Sequence, residues 1–326
     1  MYKDFKNLLS EAKFYEGYSR YDDRSGRYES WGDSVTRVMD MHRGYYNKYF
    51  SPELEMFIHE AEQSYLSKLV LGAQRALQFG GEQLLKHQLK MYNCTSSYCD
   101  RPEFFGEMFY ILLCGAGAGF SVQRHHIDKL PAIINRAKQP KIHVVDDSIE
   151  GWSTALDVLM SSYFEEGKHP EYKGHRVYFD LSNIRPKGAK ISGGFKAPGP
   201  DGLKQSLEKI ETLIEKWIVT EGNKIRPILA FDIICHSADA VLSGGVRRSA
   251  LNMIVDPNDD EMIHAKTGNW FLENPQRGRS NNSVILLRDQ VTKDQFEYLV
   301  KLNDGANDIG FVFIGKFLST ILFILS

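Results

Sequence analysis

From about residue 91 the chain alternates strand-like and helix-like segments, and this alternation limits its fold more than any other feature. KIHVV (141–145), RVYFDL (176–181), ALNMIV (250–255), SVILL (283–287) and GFVFI (310–314) have the length and the β-branched, aromatic content of strands. Between them, FFGEMFYILLC (104–114) carries the aromatic load of a buried helix. Leu203, Leu207, Ile210, Ile214 and Trp217 recur at spacings of four and three, which predicts an amphipathic helix. Ile228, Phe231, Cys235, Ala238 and Leu242 repeat that pattern up to Gly244-Gly245, a helix stop. Thr292-x-x-Gln295 is a capping box that opens a helix through about Leu302. Strand followed by helix, repeated, implies a parallel sheet with right-handed crossovers and an α/β class. The pattern suits an open sheet and a barrel equally.

Residues 1–90 have another texture, polar-aromatic and helical, and read as a separate N-terminal domain. Ser51-Pro52 resembles a helix start, with hydrophobics repeating from there to residue 78. The 40 basic and 42 acidic residues leave a net charge of -2, so nothing pulls the chain generally toward DNA or an anionic membrane. A nucleotide suits such a surface better than a nucleic-acid polymer does. Four cysteines in 326 residues make no disulfide scaffold, and no signal segment opens the sequence, so a reducing cytoplasm is the expected setting. The apolar stretch within 314–326 is shorter than the about 20 residues that span a bilayer.

Four segments carry candidate chemistry. YNCTSSYC (92–99) leads to ILLCGAGAGFSVQRHH (111–126), where Gly115, Gly117 and Gly119 alternate with alanine. A dinucleotide fingerprint fails on context, because the spacing is GxGxG and a helix-like run precedes it. By spacing alone the segment is a tight turn between core elements. Cys94, Cys99, Cys114, His125 and His126 match no usual zinc spacing, so no metal is expected. Cys114 and Cys235 read as buried thiols, and the two histidines as loop or core residues. The Gly-, Pro- and Lys-rich segment 178–203 is long for a turn, so it is a surface excursion or a functional loop. In LSGGVRRSALN (242–252), two adjacent arginines follow two glycines. This is either a helix end with solvated charges or a set of forked donors suited to phosphate or a base edge. SNNSV (280–284) places two amides at a strand entry and, by itself, reads as a turn.

Taken in order, these segments resemble the large chains of ribonucleotide reductases, especially the monomeric type that uses adenosylcobalamin. The resemblance runs from about residue 14 to 313. It begins with FYEGYSRYDDRSGRYESWGDSVTRVMDMH (14–42) and RALQFGG (75–81), continues through YNCTSS and GAGAGF, and takes in DDSIEGW (146–152), IRPKGAKISGGFKAPGP (184–200), LSGGVRRSA and SNNSV.

The resemblance implies a ten-stranded α/β barrel made of two five-stranded halves and preceded by helices, with SNNSV in one of its strands. It implies replacement of the ribose 2′-hydroxyl by hydrogen, with adenosylcobalamin starting a cysteine thiyl radical and two further cysteines supplying the reducing equivalents. Cys94 would be the first of that redox pair, its partner lying far along the family's chain. Ser96, Gly115, Gly117 and Gly119 would line the substrate cleft. Lys187 and Gly188, with Ser243, Gly244, Gly245, Arg247 and Arg248, would form the loops that read a deoxynucleotide effector. The monomeric type suggests a ribonucleoside triphosphate as substrate. Expected partners are these nucleotides, a thioredoxin-like reductant and the other half of the reductase.

The sequence departs from the family in what it lacks toward its C-terminal end. No Asn-Pro-Cys-x-Glu segment, which carries the radical cysteine, is present, and the C-terminal shuttle cysteines are absent. The expectation is therefore an N-terminal part holding an incomplete first half-barrel over 91–313, followed by a hydrophobic tail, 314–326, that the family lacks. An intron, a split gene or a frameshift would account for this, as would a natural subunit completed by a second polypeptide. Either way the isolated chain is expected to be inactive and prone to aggregate. Two other readings stand beside this one. One is the large chain of an iron-radical reductase; the other is a nucleotide-binding regulatory remnant without catalysis.

Overall fold

In the computed structural model, residues 2–191, 196–242, 250–303 and 307–315 are described. The chain divides into two units, Met1–Asn93 with Ala189–Ala197, and Cys94–Gly188 with the chain from Pro198 onward.

The first unit is helical. It contains α1 (Tyr2–Gly17), a short antiparallel ladder of β1 (Tyr21–Asp22) and β2 (Arg27–Tyr28), and helices α2 (Trp31–Tyr46), α3 (Pro52–Leu66), α4 (Gln74–Phe79) and α5 (Glu82–Lys86). A reciprocal capping box between Ser30 and Asp33 starts α2. Ser51 caps α3 through its hydroxyl, with Pro52 in the first turn, as the sequence predicts. The hydrophobic repeat that starts there is carried by two helices rather than one. Lys68 takes a left-handed φ of 60°, which ends α3, and helix resumes only at Gln74. The small core gathers Val35, Val38, Met39, Tyr65, Ala76 and Leu77. Arg37 joins the ends of this unit, donating to the Glu29 carboxylate (2.6 and 2.7 Å) and to the carbonyls of Leu77 (2.8 Å) and Gly80 (2.9 Å).

The second unit has the predicted strand–helix alternation. Its elements run β3 (Cys94–Tyr98), α6 (Phe104–Leu113), β4 (Gly117–Ser121), α7 (Arg124–Ile127), β5 (Lys138–Val144), α8 (Ile149–Tyr163) and β6 (His175–Asp180). They continue with α9 (Asp201–Thr220), α10 (Pro227–Leu242), β7 (Leu251–Val255), α11 (Asp260–Ile263), α12 (Trp270–Glu273), β8 (Ser280–Leu287), α13 (Lys293–Leu302) and β9 (Ile309–Ile314). Five strands form one wholly parallel sheet in the order β3-β4-β7-β8-β9, while β5 and β6 pair separately, also in parallel.

One face of the five-stranded sheet is sealed by helices. Ala118, Phe120, Leu251, Met253, Val255, Val284, Leu286 and Ile309 point into one core with Phe104, Phe105 and Phe109 of α6 and Phe231, Ile234 and Cys235 of α10. Over β9, Phe296 of α13 meets Phe311 and Phe313 edge-on or tilted at 5.3 and 5.5 Å between ring centres. Such a face accounts for the β-branched and aromatic strand runs, because each strand sends alternate residues to this side.

Two sequence readings are corrected here. GAGAGF is not a loop throughout: Gly115 makes the turn, with φ 75°, while Gly117 and Gly119 lie in β4. Read alone, Asn281 and Asn282 suggest a turn at a strand entry; β8 instead starts at Ser280 and takes both in, in line with the barrel strand that the resemblance implies for SNNSV. In each case cross-strand hydrogen bonding overrides weak local β-propensity.

Candidate functional site

The other face of the sheet is lined very differently. Alternation along β3 sends Cys94, Ser96 and Tyr98 to it, all exposed. Register then carries the face across the strands. Cys94 stands beside Gly117, and Ser96, Gly119, Asn252 and Asn281 form one row over β3, β4, β7 and β8. A second row runs Tyr98, Ser121, Ile254, Ser283 and Gly310. Both faces of a parallel sheet are usually apolar, so a face of serine, glycine and asparagine points to polar company.

The structure thus brings together Cys94, Ser96, Gly117 and Gly119. Gly115 sits at the mouth of β4, where the chain turns out of α6 through bonds from Gly115 N to Leu112 O (2.8 Å) and from Ala116 N to Ile111 O (3.2 Å). At Gly119 a Cβ would come no closer than 3.5 Å to any neighbour, so the fold itself has room for a side chain there. Lys187 and Gly188 are exposed and lie in the segment that follows β6, not on the five-stranded sheet. Ser243, Gly244, Gly245, Arg247 and Arg248 lie outside the described residues.

The four cysteines separate cleanly. Cys94 is exposed, whereas Cys99, Cys114 and Cys235 have no exposed surface. Burial pushes the Cys99 and Cys235 thiols well above the usual thiol range, so they stay protonated and poorly nucleophilic. Cys94 heads a strand on the open face, with a residue lacking a side chain next to it, so a partner has room to reach its sulfur.

Several site residues were missed by sequence reasoning. Asn252 is exposed, and the Ser283 hydroxyl donates to its Oδ1 at 3.1 Å. The signal was present in LNMIV, where one asparagine breaks an apolar strand at an alternating position. At the C-terminal end of the strands, the Tyr98 ring lies 4.6 Å from that of His126. His126 is buried, with Nδ1 2.9 Å from Ser121 Oγ. Burial first, and the neighbouring His125 second, lower its pKa to about 4, so the imidazole is neutral at physiological pH. Asp256 closes this end, accepting from Gln123 Nε2 at 2.7 Å and from the Arg124 backbone N–H at 2.9 Å.

Beside the sheet, α8 packs on α6 at a buried carboxyl. Asp157 accepts from Lys168 Nζ at 2.8 Å, and burial raises its pKa by more than that partner lowers it. Among the described residues no cluster of three or more His, Cys, Asp or Glu side chains is placed to hold a metal ion, and no helix is long and apolar enough to cross a membrane.

The fold and site define an α/β chain with one packed face and one open polar face, on which an exposed cysteine stands beside glycine. Residues 121–214, which hold β5, α8, β6 and most of α9, match the insertion domain of B12-dependent ribonucleotide reductase. An adenosylcobalamin-dependent ribonucleoside-triphosphate reductase of Lactobacillus gasseri is 26% identical over 332 residues, covering 82% of this chain and 44% of that protein. A Dictyostelium discoideum protein, named as a probable adenosylcobalamin-dependent ribonucleoside-triphosphate reductase, is 36% identical over 149 residues, covering 44% of this chain and 18% of its own length. A crystal structure of a B12-dependent, class II ribonucleotide reductase superposes with a TM-score of 0.68 at 23% identity, covering 84% of this chain and 45% of that one. The chain is therefore related in sequence and fold to the adenosylcobalamin-dependent ribonucleotide reductases, and it spans about 44% of the length of the Lactobacillus relatives it matches.

Proposed function

We propose that this chain provides the reducing-thiol face of an adenosylcobalamin-dependent ribonucleoside-triphosphate reductase, an oxidoreductase that makes deoxyribonucleotides. The observation that carries this reading is the pairing of Cys94 with Gly117 on an open polar sheet face, in a chain related to that family. Replacing the 2′-hydroxyl by hydrogen releases water and consumes two electrons and two protons, which a pair of thiols supplies as it closes to a disulfide. Cys94 is one member of the pair. Its partner is not Cys99, Cys114 or Cys235, because each is sealed in the core on the other side of the sheet or in its helices.

The five parallel strands form one half of a ten-stranded barrel, whose interior is the face that carries Cys94. Ser96 and the bare backbones of Gly117 and Gly119 lie under the substrate, and Gly115 shapes the approach. Adenosylcobalamin, when bound, supplies the radical that starts the reaction. The residues here that suit such chemistry are a thiol open to a reactant and a cradle at Gly119 that a Cβ would partly fill; no described residue is assigned to the cobalamin itself. Lys187 and Gly188, together with Ser243, Gly244, Gly245, Arg247 and Arg248, read a deoxynucleotide effector. A thioredoxin-like dithiol and the remainder of the reductase are the protein partners, and the cytoplasm is the setting.

The test is turnover of a ribonucleoside triphosphate by the enzyme that contains this chain, with adenosylcobalamin and a dithiol reductant. Cys94→Ser is expected to abolish multiple turnover. Steady-state turnover retained by that variant removes Cys94 from the redox role.

A further inference from the structure

The row Ser96, Gly119, Asn252, Asn281 crosses four hydrogen-bonded strands, and none of its members is a good strand former. The next residue of each strand, on the other face, is Ser97, Phe120, Met253 or Asn282, and Phe120 and Met253 are among the best-buried side chains of the core. On the two central strands, β4 and β7, the weak formers Gly119 and Asn252 thus stand on the open face, opposite strong formers on the packed face. A sheet gains nothing in stability from such a row, and local rules broken together at one place mark a functional surface.

The row also has a definite chemistry. It carries no cation, so it offers no counter-charge to a phosphate chain. It carries two carboxamides, each with donors and an acceptor on one planar group, which suit partners that both donate and accept. Sugar hydroxyls and base edges are such partners. Asn252 is the best-defined member: the Ser283 hydroxyl donates to its Oδ1, which fixes the plane of the amide and leaves Nδ2 as the donor offered to the open face. Asn281 lies beside it on β8 and is exposed. Neighbouring strands lie about 4.8 Å apart, so the row from Ser96 to Asn281 spans roughly 14 Å.

We propose that Asn252, held by Ser283, binds the sugar-and-base part of a ribonucleotide on this face, with Asn281 and Ser96 in the same row and the phosphates lying off it. The inference rests on the reductase reading and adds to it the part of the nucleotide that the row contacts. Calorimetric titration of this chain with CTP, cytidine and inorganic tripolyphosphate tests it. Asn252→Leu keeps the side-chain size, removes the amide and places a better strand former at an exposed site, so folding is retained. It is expected to weaken CTP and cytidine binding about tenfold while leaving tripolyphosphate unchanged. Ser283→Ala, which releases the amide, is expected to weaken CTP about threefold. CTP affinity within twofold of the unmodified chain in Asn252→Leu overturns the inference and leaves the reductase reading standing. An equal loss for CTP and tripolyphosphate also overturns it, because the row then lies under phosphate. Failure of the unmodified chain to bind CTP overturns the inference, while the reductase reading is judged by turnover of the enzyme that contains this chain.

Discussion

Cys94 and Gly117 are registered neighbours on adjacent parallel strands, so the one exposed thiol of the chain lies beside a position with no side chain. This pairing separates Cys94 from the other cysteines in reactivity as well as in place. Under native conditions iodoacetamide is expected to modify Cys94 at least about tenfold faster than Cys99, Cys114 or Cys235, because burial denies those three access and holds Cys99 and Cys235 protonated. Peptide mass spectrometry over a time course reads this, and comparable rates at Cys99 would mean that the β3 end is not packed as described.

Gly119 separates stability from binding. A methyl group there meets only ordinary contacts, the nearest at 3.5 Å from Thr95 O. Gly119→Ala is therefore expected to leave stability unchanged or raise it by up to about 1 kcal/mol in urea denaturation, since glycine is a poor strand residue. The same change is expected to weaken nucleotide binding, as the methyl group intrudes on the approach to the face. A variant that is destabilised instead would show that the glycine serves the sheet.

Gly106 and Asp157 set the distance between α6 and α8. A Cβ at Gly106 would overlap the Asp157 carboxylate, which is buried and held by Lys168. Gly106→Ala should cost about 1–3 kcal/mol in urea denaturation, as overpacked cores do. Adding Asp157→Ala should recover part of that loss, because it removes the group that collides; a double mutant with no recovery would count against the contact.

The pair of Asp232 and Arg277 ties α10 to the turn that leads into β8. Arg277 donates to both carboxylate oxygens at 2.8 and 2.7 Å, and Gln276 adds a bond at 3.0 Å. Arg277 belongs to the Pro275–Arg279 turn that leads directly into β8 and Asn281. Arg277→Met leaves a buried carboxylate without its main partner and is expected to cost about 3 kcal/mol. Hydrogen exchange at β8 amides should quicken in parallel, and unchanged exchange there would dissociate the pair from the strand.

Acid should loosen the His126 end of the sheet. Its folded pKa of about 4 lies below the ordinary value of 6.5, so the fold favours the neutral ring. The stability this provides is complete above about pH 6.5 and is lost as pH falls toward 4, by at most about 3 kcal/mol. Urea midpoints between pH 7 and pH 4 should therefore fall more steeply for the unmodified chain than for His126→Gln. Parallel pH profiles would place the acid sensitivity elsewhere.

Much of this architecture was legible in the sequence, for physical reasons. Where a strand buries one face, as LNMIV and SVILL do, composition alone locates it. Where a helix buries one stripe, as at Leu203, Leu207, Ile210, Ile214 and Trp217, periodicity does so, and all five of these side chains are buried. CTSSY and GAGFS escaped because these strands are held by their neighbours' backbones and not by their own side chains. That same weakness marks the functional face. Cys94 and the glycines could be picked out by order along the chain, whereas Asn252 and Ser283 could not, since their closeness comes from the register of β7 against β8.

The central claim is that a ribonucleotide lies over Cys94. The rate at which iodoacetamide modifies Cys94, measured on this chain with and without saturating CTP, tests that claim most directly. The account expects CTP to slow the reaction at least about fivefold, with cytidine protecting at higher concentration and tripolyphosphate giving no protection. An alkylation rate unchanged by CTP, at concentrations where CTP binding is saturated, would contradict it.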